Sequence, residues 1–126
     1  YYITILLFLL CCFHAKISIK IPANKKYQKS IRLFVAGLGS ELNFNIEQIE
    51  DLKVLASEAI NYKMGEDGLN LAFLVEDESL SIEVIGKDKK DDPRAIAMRD
   101  AILSALADDI ETDGDLLRIT MRNTHA

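Results

Sequence analysis

Cysteine and histidine are scarce in this 126-residue chain. It has two cysteines, Cys11 and Cys12, adjacent in an apolar run. Neighbouring cysteines rarely bridge each other, and no Cys-x-x-Cys spacing exists, so a disulfide framework and a thiolate metal site are not expected. The two histidines, His14 and His125, lie near opposite ends of the sequence. Neither has a companion at metal-ligand or triad spacing, which argues against zinc and Ser-His-Asp chemistry. A basic stripe is missing too. The formal net charge is -5, and neutralising phosphates needs clustered Lys and Arg, so nucleic acid is not an expected partner. Lys25 and Lys26 form a short basic pair. Lys87, Lys89 and Lys90 alternate with Asp88, Asp91 and Asp92, the pattern of a solvated loop. Repeats and low-complexity linkers are absent.

What is present suffices for one domain with a real core, at 49% hydrophobic and 28% charged residues. Tyr1 to Phe13 is almost wholly apolar. As a helix it spans only about 20 Å, short of the ~30 Å hydrocarbon core. It has the length of a signal-peptide apolar core, but no basic residue precedes it. A truncated membrane segment, a signal-like anchor and translated sequence upstream of the domain's start remain alternative readings. Residues 1–14 are therefore set aside as an apolar leader, and residues 15–126 are taken as the domain.

Lys16 to Ile21 alternates in polarity like a half-buried strand, and Pro22 ends it. Asn24 reads as a helix cap. Tyr27, Ile31, Phe34, Val35, Leu38 and Leu42 then recur at three- and four-residue steps, predicting a helix to about Leu42. Gly37 and Gly39 within it suggest close packing. Asn45 with Gln48 reads as a capping box, opening a second helix with Ile49, Leu52, Ala56, Ala59 and Ile60 on one face. Gly65 to Gly68 breaks the pattern. Leu69 to Val75 and Leu80 to Val84 alternate around an acidic turn, predicting a hairpin. Asp92-Pro93 caps a third helix with Ile96, Ile102, Leu103, Leu106 and Ile110 facing inward. Asp113-Gly114 is a turn, and Leu117, Ile119 and Met121 mark a last strand. Strands with one wet face and three amphipathic helices predict a two-layer α/β sandwich, its mostly antiparallel sheet covered on one face.

Several segments carry a family likeness. Ile21-Pro-Ala23, Ser30 to Leu33, Ile46 to Val54, Ser57-Glu-Ala59, Leu103 to Asp109 and Ile119-Thr-Met121 resemble the anti-sigma factor serine/threonine kinases. These belong to the GHKL (histidine-kinase-like) ATPases with the Bergerat fold. The likeness spans roughly Ala15 to Asn123. It implies a bacterial, cytoplasmic regulator of transcription whose partners are a sigma factor or a STAS-type anti-sigma antagonist. It also implies a homodimer formed through the sheet-and-helix surface of Ile17 to Leu42. Membrane association enters only if residues 1–13 belong to the native protein.

In that family a Glu polarises the attacking group and an Asn four residues later holds magnesium, which bridges the phosphates of ATP. The resemblance places the Glu at Glu58. The Asn position falls on Tyr62. Asn61 is one residue short, about 100° around the helix. The family's Asp-x-Gly-x-Gly box falls on Gly86 to Lys90, with Gly86 at the Asp position. A one-residue shift supplies Asp88 as the adenine-binding acid but no glycines. The family's phosphate-cradling Gly-x-Gly corresponds to Ala95 to Met98, where no glycine stands. Two main readings follow. One is a regulatory binding module with no cofactor. The other is an active kinase with Glu58 as catalytic base, Asn61 for magnesium and Asp88 for the adenine of ATP. A structural or membrane-tethered domain is a third. For each of Glu58, Asn61 and Asp88 a plain reading also exists: a solvated helix carboxylate, a helix-end residue and a turn residue. Tyr62 is expected as a packed aromatic.

Overall fold

The computed structural model describes residues 15–63, 68–87 and 92–123. The apolar leader, both cysteines, both histidines, Gly65 and Asp88 lie outside the described residues. In chain order the elements are β1 (Ala15–Ile21), α1 (Tyr27–Glu41), α2 (Ile46–Lys63), β2 (Leu69–Val75), β3 (Ser79–Ile85), α3 (Pro93–Leu106), β4 (Asp109–Asp113) and β5 (Leu116–Arg122). The five strands form one sheet in the order β1-β2-β3-β5-β4, with every neighbouring pair antiparallel. This is the α/β sandwich expected from the alternation pattern, and it is consistent with the Bergerat fold.

Alternation decides which side of each strand is covered. Leu69, Leu71 and Phe73 of β2, Leu80, Ile82 and Val84 of β3, and Leu117, Ile119 and Met121 of β5 are buried. They share a core with Ile31 and Val35 of α1, with Leu52, Leu55, Ala56, Ala59 and Ile60 of α2, and with Leu103 of α3. Period two on the strands meets period three to four on the helices, so the two layers bury one common face. The opposite sheet face carries charge. Arg118 donates to Glu83 at 2.7 and 3.0 Å and to Glu111 at 3.2 Å. The hydrogen bond and charge of Glu83, reinforced by Glu111, raise the Arg118 pKa above its ordinary value.

The helix boundaries follow from local chemistry. Asn45 and Gln48 form the reciprocal capping box: Gln48 N–H donates to Asn45 Oδ1 at 2.8 Å, and Asn45 N–H to Gln48 Oε1 at 3.1 Å. Replacing Asn45 with Ala is expected to cost about 1 kcal/mol, read as a lower urea midpoint at unchanged slope. Asp92 caps α3 by accepting from Arg94 N–H at 3.3 Å, with Pro93 in the first turn. Asn43, in the left-handed region at φ 59°, ends α1. Phe44 N–H reaches Gly39 O at 3.0 Å and Asn43 N–H reaches Ser40 O at 3.1 Å, the two bonds of a Schellman termination.

Three expectations are corrected. The third helix stops at Leu106 and does not reach Ile110. Ile110 instead lies in the added strand β4, paired with Ile119 of β5. Asn24 does not cap α1 directly. Its side chain accepts from Lys26 N–H at 3.0 Å, tightening the turn that precedes a helix starting at Tyr27. The glycines of α1 also divide. A Cβ on Gly39 would lie 2.9 Å from Leu52 Cδ1, so close packing holds there, but one on Gly37 would meet nothing within 4 Å.

Candidate functional site

The middle helix α2 carries the candidate chemistry, and its position between α1 and α3 sorts those residues onto two sides. Glu58 is half-buried on the α1 side. With Lys29, Arg32 and Leu33 of α1 and Val54 and Ser57 of α2 it lines a cleft of about 440 Å³. Glu50 and Lys53 close one wall of this cleft through a 2.8 Å ion pair. The Ser57 hydroxyl is buried there with no hydrogen-bond partner among the described residues. Asn61 also leans toward α1, where its Oδ1 accepts a hydrogen bond from Gln28 Nε2. That oxygen is the one hard ligand its side chain could offer to magnesium.

Tyr62 faces the other way. It packs against the core and lines a cavity of about 390 Å³ with Asp100, Leu103, Ser104, Ile110, Thr112 and Leu117. The Arg99 guanidinium lies 5.4 Å from its ring centre and the Lys63 ammonium 5.9 Å, both within cation–π range. Arg99, only 8% exposed, also donates to the main-chain carbonyls of Ala95 at 3.3 Å and Asn61 at 3.2 Å. The second bond satisfies a carbonyl in the last turn of α2, where a cation also complements the helix dipole. Lys63 is 2% exposed. Sequence pattern missed both buried cations, because Lys and Arg ordinarily read as solvated.

The loop positions complete the picture. Gly86 closes β3, its N–H donating to Asp115 O at 3.1 Å. A Cβ there would fall 2.6 Å from Leu69 Cδ2 and 3.5 Å from the Lys63 carbonyl oxygen. An acid at this position would therefore have to displace Leu69. Ala95 to Met98 sit inside regular helix, and the Ile96 N–H is already used by Asp92 O at 3.1 Å. The structure thus brings Glu58 and Asn61 to the α1 side and Tyr62 to the α3 side. Among the described residues no group of three His, Cys, Asp or Glu side chains is arranged to hold a metal ion.

No family model matches the chain. Curated proteins do. It is 36% identical over 78 residues to the serine-protein kinase RsbW of Listeria monocytogenes, covering 56% of this chain and 50% of that protein. Against RsbW of Bacillus pumilus the identity is 40% over 80 residues, 56% of this chain and 49% of that protein. Against RsbW of Oceanobacillus iheyensis it is 32% over 83 residues, 60% of this chain and 52% of the relative. Over these segments the chain is similar to the RsbW serine-protein kinases. It spans about half the length of the curated relatives it matches. The likeness supports the family reading reached from Ser57-Glu-Ala59 and its neighbours. No helix among the described residues is long and apolar enough to cross a membrane.

Proposed function

We infer that this domain is an anti-sigma-type regulatory module that acts by protein–protein contact and does not use ATP. The observation that carries this reading is Tyr62. It stands four residues after Glu58, where the family resemblance places the magnesium ligand, and it packs beneath Arg99. A phenol at that place supplies neither the amide carbonyl nor the room that a hydrated magnesium ion needs. The neighbouring amide does not substitute, since Asn61 is held by Gln28. Leu69 fills the space an adenine-binding acid at position 86 would enter. Magnesium–ATP is therefore a poor fit to these residues.

The cleft between α1 and α2 suits contact with another protein. Leu33 is 65% exposed and Val54 41%, two apolar anchors set among Lys29, Arg32 and Lys53. A sigma factor or a STAS-type antagonist is the partner class that the RsbW likeness suggests. Glu58, half-buried in this cleft, then serves as a surface carboxylate and not as a base. The kinase reading keeps Glu58 but needs Asn61 to leave Gln28 and turn toward a metal.

Isothermal titration with ATP and magnesium separates the two. No binding heat at millimolar nucleotide is expected, together with nucleotide-independent binding of a purified sigma subunit or STAS antagonist. Micromolar, magnesium-dependent ATP binding would establish the kinase reading instead.

A further inference from the structure

Strand β4 lies at one side of the sheet and is paired to β5 on one flank. Among the described residues no strand meets its other flank. Such an edge presents alternate N–H and C=O groups with no ladder partner, a template for one more strand. Charged side chains often block an edge, and β4 carries Asp109, Glu111 and Asp113. Two of these are turned inward. Glu111 pairs with Arg118 of β5 at 3.2 Å, and Asp109 pairs with Arg122 of β5. The ion pairs draw both carboxylates over the sheet and leave the outer backbone of β4 clear.

The helix side of the same edge is a groove. Ile110 and Thr112 alternate with the acids and so face the helix layer, where α3 packs beside β4. They line the cavity of about 390 Å³ together with Leu103, Asp100 and Ser104 of α3 and Leu117 of β5. Its floor is apolar, since Leu103 and Leu117 are each 2% exposed and Ile110 is half-buried. Its rim is polar, with Asp100, Ser104 and Thr112 exposed. Neither Asp100 nor Asp113 makes an ion pair among the described residues.

We propose that β4 and this groove bind an extended segment of a partner protein by strand addition. A strand edge selects an extended chain over a helix, because only an extended backbone matches its donors and acceptors in register. The five residues of β4 set the length of the match. Main-chain hydrogen bonds supply the affinity, and the groove selects the side chains. Those on the groove side recur every second residue. One is apolar and sits over Leu103, Ile110 and Leu117. The next along is a lysine or arginine, whose charge answers the unpaired Asp100. The contact lies on the α3 side of the fold and leaves the α1–α2 cleft free. It is therefore a second surface, and it stands or falls separately from the reading of that cleft and of the nucleotide.

Fluorescence anisotropy on the full chain provides the test. The probe is a fluorescein-labelled peptide Gly-Lys-Thr-Leu-Thr-Lys-Gly, which presents the same groove-facing side in either strand direction. Saturable binding below millimolar peptide is expected. A peptide with glutamate in place of both lysines, and one N-methylated on its five central amides, should each bind about tenfold more weakly or worse. Asp100→Lys, which reverses the rim charge, and Ser104→Trp, which fills the groove from an exposed helix position, should each weaken the parent peptide to a similar degree. If either variant fails to fold, the peptide controls on the unmodified chain still decide. No binding at millimolar peptide overturns the proposal. Binding that survives N-methylation, or that is indifferent to charge, overturns it too, as does binding unchanged in both folded variants.

Discussion

Phe73→Ala should leave this domain near the limit of folding. Phe73 is 0% exposed at the middle of β2, where it pairs with Ile17 of β1 and Ile82 of β3. Its ring also meets the Phe34 ring of α1 edge-on, with centroids 5.0 Å apart and planes at 68°. Truncation removes the transfer free energy of a whole aromatic side chain and leaves a cavity that two strands and a helix cannot fill. Such changes cost about 3–5 kcal/mol, and the lost edge-on pair adds to this. A domain of this size has only about 5–15 kcal/mol in total. Thermal unfolding followed by circular dichroism should shift down by roughly 15–25 °C. A loss below about 1 kcal/mol would mean that α1 is not seated on the sheet at Phe34.

Gly68→Ala is the second large effect, and its cause lies in the backbone. Gly68 adopts φ +79°, and an added Cβ would sit 2.5 Å from the carbonyl oxygen of Ile21. Ile21 pairs with Leu69 at the end of the β1–β2 ladder. A side-chain neighbour could swing aside, but a ladder carbonyl moves only if the strands part. Left-handed backbone costs a non-glycine residue about 1–2 kcal/mol, and the clash should bring the total to about 2–4 kcal/mol. Gly114 supplies the control. It has φ +59° with nothing within 4 Å of its added Cβ, so Gly114→Ala should cost only the conformational part, about 1 kcal/mol. Equal losses at the two glycines, measured by urea unfolding, would show that the Ile21 contact is not felt.

Much of this architecture was legible because period and punctuation agreed. Asn45 with Gln48 and Asp92 with Pro93 each announced a helix start, and both caps form. The alternation from Leu69 to Val84 gave the hairpin in its observed place. Strand β4 was hidden. Leu103, Leu106 and Ile110 continue a helical spacing, and Asp-Ile-Glu-Thr-Asp is a poor strand former on its own. What makes it a strand is the edge of β5, which sequence spacing does not display. The end of α1 falls within a residue of the expected Leu42, although Asn43 takes the left-handed turn more often given to glycine.

The candidate site divides along the same line. The helical offset between Asn61 and Tyr62 follows from residues per turn, and the structure turns them to opposite neighbours. Buried Lys63 and Arg99 escaped notice because single cations in an amphipathic helix carry no periodic signature. Their burial depends on Tyr62 lying between α2 and α3, a long-range fact. Asp88 lies outside the described residues, so the one-residue shift that would give the adenine-binding acid rests on sequence alone.

The strand order carries a consequence for biosynthesis. Because β5 lies between β3 and β4, neither of those strands has its full set of partners until Arg122 has left the ribosome. Up to that moment the nascent chain holds β3, whose core side is wholly apolar, with one edge unpaired. Such an edge is a template for wrong pairing, so this sheet is vulnerable to misassembly until β5 arrives.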